Sequence, residues 1–157
     1  MRPRAARANT KSERVLYCAT EEQTAVAEVN PWRGALVSVC KVQARRDLSL
    51  LDRDHRAPEP NPFVEEHLRY EVEFSELLDA FAEELGRPLR RDDKPADYRP
   101  CQKLSQYVKR AGFDGVRYPS ALVPGGTNVV LFEPRAAAIL DSWLVEVEKV
   151  DVQYAPR

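Results

Sequence analysis

The chain of 157 residues holds only two histidines, one methionine, three cysteines and six glycines. His55 and His67 stand apart from each other and from Cys18, Cys40 and Cys101, without the ligand spacing of a zinc site, so no metal is expected. Three separated cysteines lack a C-x-x-C pair and fit reduced thiols in the cytoplasm rather than a disulfide framework. Cys18 and Cys40 lie in apolar strand-like runs, where a free thiol acts as a small hydrophobe, and neither histidine pairs with a cysteine in a nucleophile pattern. A net charge of -1 leaves no basic surplus for gripping a nucleic-acid backbone. The longest apolar runs, such as Val129 to Phe132, have strand length, so none would span a bilayer. The arginines at the N-terminus are not followed by the apolar stretch of a secretion signal. There is also no G-x-G-x-x-G and no P-loop.

What remains is the composition of one soluble α+β domain, 43% hydrophobic and 31% charged, over residues 1–157. Residues 1–13 read as a polar arm or loop, or else a tail, before a first strand from Arg14 to Cys18. Thr20 and Gln23 form a T-x-x-Q capping box that opens a helix ending at Glu28, with Pro31 beyond it. Strands are expected at Ala35 to Val42 and around Leu48 to Leu51, and the prolines at 58, 60 and 62 mark a loop. From Val64 to Leu85 the spacing predicts a long amphipathic helix with Leu68, Val72, Leu77, Leu78, Phe81 and Leu85 on its apolar face. That stripe suits packing on the chain's own core, and also a docked partner. Gly86 and Pro88 end it. A further helix runs from about Pro100 to Arg110, with Cys101, Leu104 and Val108 on one face and Gly112 as its C-terminal cap. Strands follow at Val116 to Tyr118 and Asn128 to Phe132, and a last strand or hairpin at about 143–154. The elements lack the regular alternation of a doubly wound sheet, so a small mixed sheet flanked by helices is expected.

Several side chains stand out for chemistry. Arg7, Tyr17 and Glu28 form an R-x9-Y-x10-E pattern, and Ser120 ends an R-Y-P-S stretch that starts at Arg117. Glu28 falls at the C-terminal end of a short helix, where the dipole disfavours a carboxylate. Breaking a glycosidic bond to nitrogen builds positive charge on the sugar, which a nearby carboxylate would stabilise. Arg7 and Arg117 have the planar fork that suits phosphates. Tyr17 could stack on a flat ring, Ser120 could orient a carboxylate or a sugar hydroxyl, and Asn128 could bond ligand or backbone. Taken singly, each also fits an ordinary surface or core role. Ser120 has no G-x-S-x-G setting and no histidine beside it, which argues against a nucleophilic serine.

Four stretches occur together and in order: R-A-N-T-K-S-E-R-V-L-Y-C-A-T-E-E-Q-T-A-V-A-E-V at 7–29, Y-R-P-C-Q-K-L-S-Q-Y-V at 98–108, G-F-D-G-V-R-Y-P-S at 112–120 and G-G-T-N-V-V-L-F at 125–132. Their combination resembles the RES domain family, with the likeness covering Arg7 to about Phe132. The resemblance implies a fold like that of ADP-ribosyltransferases and an activity on NAD, by phosphorolysis with inorganic phosphate, by hydrolysis or by ADP-ribosylation of a protein. It implies a toxin whose partner is an Xre-type helix-turn-helix antitoxin protein. Carried over by motif, Arg7 would bind the NAD phosphates and Tyr17 would pack on the nicotinamide side. Glu28 would hold the ribose and stabilise its cation, Ser120 would orient Glu28 or the ribose, and Asn128 would support them. A catalytically silent NAD-binding or partner-binding module is the other reading. Two departures stand out. Family members carry an arginine-bearing strand upstream of the Arg7 motif, where this sequence offers Arg2 and Arg4, and Cys101 replaces a common threonine, a change expected to touch packing more than chemistry.

Overall fold

A computed structural model describes residues 5–54, 68–88 and 92–151. Two apolar periods set its frame. A period of two builds a four-stranded sheet from β1 (Leu16–Ala19), β5 (Thr127–Leu131), β4 (Gly115–Pro119) and β3 (Leu50–Asp52), in that order. The pairs β1·β5 and β5·β4 are antiparallel and β4·β3 is parallel, so the sheet is mixed and the fold α+β. Strand β5 is central, and four of its five residues are buried, which explains an apolar run without alternation.

A helical period covers one face of that sheet. In α2 (Leu68–Gly86) the buried hydrophobic side chains among those described are Leu78, Phe81, Ala82 and Leu85, one stripe at i, i+3, i+4 and i+7. Leu77 is 47% exposed and points away from it, a correction to the expected apolar face. With Cys101 and Val108 of α3 (Arg99–Arg110), the stripe packs on Val116 and Tyr118 of β4 and Val130 of β5. Gly112 closes α3 in the left-handed region (φ 95°). Its N–H donates to the carbonyl of Lys109 and that of Phe113 to the carbonyl of Val108, so the last carbonyls are satisfied as the chain turns toward β4.

Helix α1 (Glu22–Glu28) packs beside β1 and β5, with Thr24 wholly buried. The expected capping box does not form. Thr20 still belongs to the sheet, donating its N–H to the carbonyl of Thr127 at 3.0 Å, so Glu21 becomes the N-cap and makes no side-chain cap bond. Strand β2 (Leu36–Ala44) leaves the main sheet and pairs with β6 (Ala137–Glu146) in a two-stranded ribbon with a bulge between Lys41 and Val42. The expected terminal strand or hairpin is thus a single strand that starts six residues earlier than 143. Its register with β2 runs down to Ala44↔Ala137, through two alanines, the exposed Ile139 and Leu140, and two polar residues that together carry no alternation in the sequence. The proline-rich loop, residues 64–67 of the expected long helix and residues 152–157 lie outside the described residues, as do Arg2 and Arg4.

Candidate active site around Glu28

Glu28 is the last residue of α1, and it meets two side chains brought by the other end of the chain. The Ser120 hydroxyl donates to Glu28 Oε1 at 2.8 Å, and the Asn128 amide Nδ2 donates to the same oxygen at 2.6 Å. The direction of the serine bond is set by the turn after β4. The backbone N–H groups of Leu122 and Val123 donate to Ser120 Oγ at 3.2 and 3.3 Å, which leaves the hydroxyl proton for Glu28. Ser120 itself is tied to the start of β5, its N–H donating to the carbonyl of Gly126. Asn128 is 2% exposed, so the carboxylate is held by one buried amide and one locked hydroxyl.

Both donors are neutral. Among the described residues Glu28 has no ion pair, no basic residue stands in the last turn of its helix, and Oε2 receives no hydrogen bond. Glu28 is exposed at the end of α1, and a carboxylate that is oriented but not paired with a cation is placed to stabilise a developing positive charge.

Strand register decides which other candidates share this place. Ala19, Asn128 and Tyr118 lie side by side on β1, β5 and β4, so Asn128 and Tyr118 project from the same face, as do Tyr17 and Val130. Tyr17 is 43% exposed, yet its hydroxyl is pinned. It accepts from Ala8 N–H at 3.0 Å and donates to Asn9 Oδ1 at 3.3 Å, and burial pushes its phenol pKa up. The ring is open while the polar end is spent. The loop that pins it is ordered by Gln102, whose Nε2 donates to the carbonyls of Ala6 and Asn9, both at 2.9 Å. Gln102 lies in the 98–108 stretch, and its part in the site was not legible there.

Arg7 is 6% exposed, and its guanidinium is turned to the end of α2. Nη1 donates to the Arg87 carbonyl, Nη2 donates to the Pro88 carbonyl and to Asp93 Oδ2, both at 3.3 Å, and Nε lies 3.4 Å from Glu84 Oε1. The group also sits over the Tyr98 ring, 5.6 Å from its centre. The fork expected to face phosphates is thus committed within the protein. Cys101 is buried beside this cluster. Burial first, and the Glu84 charge second, push its thiol up to about 11, so it is protonated at neutral pH.

Arg117 is separated from Glu28 altogether. On β4 it alternates with Tyr118 and so leaves the opposite face of the sheet, where its two Nη atoms donate to Asp52 at 3.0 Å and Asp54 at 3.1 Å. Asp54 also accepts from the Thr127 hydroxyl at 2.7 Å. Arg117 therefore braces the strand ends beneath Asn128 and does not line the site with it.

Tyr118 was not singled out in the sequence, because nothing in R-Y-P-S says which of its side chains faces Glu28. Its phenol is held well above the usual range by burial and by the nearby Tyr17 and Glu28, with Arg7 acting the other way. Among the described residues no group of three or more histidine, cysteine, aspartate or glutamate side chains is placed to hold a metal ion, and no helix is long and apolar enough to cross a membrane. His55 and His67 lie outside those residues.

Compared with protein-family models, residues 1–154 match that of the RES domain. No curated protein and no solved structure matches the chain.

Proposed function

The chain belongs to the RES domain family, whose members act on NAD, and on that premise we propose that it is an NAD-consuming enzyme cleaving the bond between nicotinamide and ribose. The observation that carries this reading is the Glu28 carboxylate, fixed through Oε1 by Ser120 and Asn128 and open at Oε2. Loss of nicotinamide leaves positive charge shared between the anomeric carbon and the ring oxygen of the ribose. A carboxylate about 4 Å from a unit charge, at an effective dielectric constant near 20, interacts with it by on the order of 4 kcal/mol, and the part gained as the charge moves from the pyridinium onto the ribose speeds the reaction. Nicotinamide is a neutral leaving group on a cationic pyridinium, so it departs with the bonding pair and no acid is needed at the nitrogen. What the protein supplies is position and charge.

The open ring of Tyr17, on the sheet face that carries Asn128, offers a flat apolar surface for the nicotinamide. Arg7 would reach a phosphate only by giving up part of its buried network, so we assign it to holding the loop whose Ala8 and Asn9 pin Tyr17. The acceptor of the ribosyl cation is water or inorganic phosphate in this reading, and the RES resemblance implies a toxin with an antitoxin partner. An Xre-type antitoxin protein is the partner we assign to this chain.

Chromatography of NAD incubated with the purified protein, with and without phosphate, tests the reading. Nicotinamide should appear, together with ADP-ribose or its 1-phosphate, and Glu28→Gln should slow its release by about 100-fold to 1000-fold. Intact NAD after prolonged incubation, or equal release by the variant, overturns it. Label from NAD fixed on a protein would instead identify an ADP-ribosyltransferase.

A further inference from the structure

Tyr17 and Tyr118 share one face of the sheet and differ in which part of the side chain is spent. Tyr17 exposes its ring and uses its hydroxyl both as acceptor and as donor. Tyr118 is the reverse. The residue as a whole is 4% exposed and belongs to the core cluster, whereas its hydroxyl makes no hydrogen bond with any described residue. That hydroxyl is not among the polar atoms sealed from solvent without a partner, which are Arg7 Nε, Thr24 Oγ1, Ser105 Oγ and Asn128 Oδ1. A phenol that is buried along its ring and still reaches open space at its tip presents that tip to whatever occupies the space. The charges of Tyr17 and Glu28 bear on this phenol, which ties it to the proposed site.

We propose that the Tyr118 hydroxyl is a further substrate-binding group of the Glu28 site, donating a hydrogen bond to the nicotinamide-riboside half of NAD. The proposal rests on the NAD reading given above. It stands on three features: the ring is packed in the core cluster, the residue lies directly opposite Asn128, and the hydroxyl, unpaired within the described protein and not sealed off, is available to donate to a ligand. Burial and the neighbouring Tyr17 and Glu28 keep the phenol protonated, so it acts as a donor. A donor beside an acceptor-only carboxylate complements groups that both accept and donate. The sugar hydroxyls and the carboxamide of the nicotinamide-riboside half are such groups. The diphosphate only accepts, and Glu28 repels it.

The test is Tyr118→Phe in the full chain, with the KM for NAD, inhibition constants for nicotinamide mononucleotide and for ADP, and thermal unfolding. The deletion breaks no hydrogen bond within the described protein, so Tm should be unchanged. The KM for NAD and the inhibition constant of nicotinamide mononucleotide should both rise about fivefold to tenfold, while that of ADP stays the same. An unchanged KM overturns the proposal while leaving the NAD reading intact. So does a rise shared equally by ADP, which would place the contact elsewhere on the substrate, or a fall in Tm large enough to account for the loss. A wild-type protein without NAD turnover overturns the reading and this proposal with it.

Discussion

The Asn128 amide donates to Glu28 Oε1 across 2.6 Å although one hundred residues separate them. Ser120 donates to the same oxygen, so two neutral donors hold one atom and turn the other oxygen outward. Removing either donor leaves Oε1 held by one bond instead of two. Asn128→Ala and Ser120→Ala should each lower kcat about 10-fold to 100-fold with smaller changes in KM. Because both act through Glu28, the double variant should lose less than the product of the two, a coupling that a double-mutant cycle reads directly. Full additivity would mean that they do not share a task.

Gly126 sets how closely α1 approaches β5. A Cβ there would lie 2.5 Å from Thr24 Oγ1 and 3.0 Å from the Cβ of Val123, and Thr24 is wholly buried on the helix that carries Glu28. Gly126→Ala should therefore cost about 1–3 kcal/mol of stability, measured by denaturant unfolding, and lower turnover by shifting α1. Thr24→Ala removes the clashing oxygen, which has no hydrogen-bond partner to lose. The pair Gly126→Ala with Thr24→Ala should recover much of both losses, and failure to recover either would refute the close-approach account.

Arg7 and Asp93 have side chains only 7% and 8% exposed. Asp93 keeps Arg87 as an ion partner at 3.3 Å when Arg7 is removed, but the two backbone carbonyls that Arg7 serves lose their donor, so Arg7→Ala should destabilise the protein by about 1–3 kcal/mol. Arg7→Lys keeps the charge but not the fork that reaches two carbonyls and Asp93, and should fall between the two proteins. If Arg7→Ala leaves the unfolding midpoint where it was and weakens only NAD binding, the arginine serves the phosphates after all.

Asp114 ties the β4 turn to the chain before β3. Arg46 grips its carboxylate with two bonds, 2.9 and 2.5 Å, and Ser49 N–H adds a third. The Arg46 guanidinium, helped by the Ser49 amide, holds this carboxyl down at about 2. A depressed folded-state value stabilises the protein above the ordinary carboxylate range and stops doing so as pH falls toward 2. The Tm of wild type should thus exceed that of Asp114→Asn by a steady margin at neutral pH. The margin should narrow below pH 4 and close near pH 2, and a pH-independent margin would exclude the linkage.

Much of the frame could be read in the residues. The alternation of Val116 and Tyr118, the apolar run of β5 and the closing glycine of α3 at Gly112 mark elements that formed within a few residues of expectation. These signals are local, arising from side chains two to four positions apart. The misses arose where a distant partner outbid the local signal. Thr20 has the composition of an N-cap, but the ladder with Thr127 claims its backbone. Strand β6 carries little pattern of its own and extends as far as β2 gives it a partner. Leu77 fits an apolar stripe in the sequence, yet the helix rotates to bury Leu78, Phe81 and Leu85.

By itself the sequence determined the α+β class, the main helices and strands, and the residue types of the site, together with their order along the chain. Only the tertiary structure decided which of them meet. Strand register put Asn128 and Tyr118 on the face of Glu28 and sent Arg117 to the other, because adjacent residues on a strand must part to opposite sides. Packing against the end of α2 then buried Arg7 in its own ion pairs. A sequence fixes what each side chain can do, whereas pairing between segments a hundred residues apart fixes what it faces.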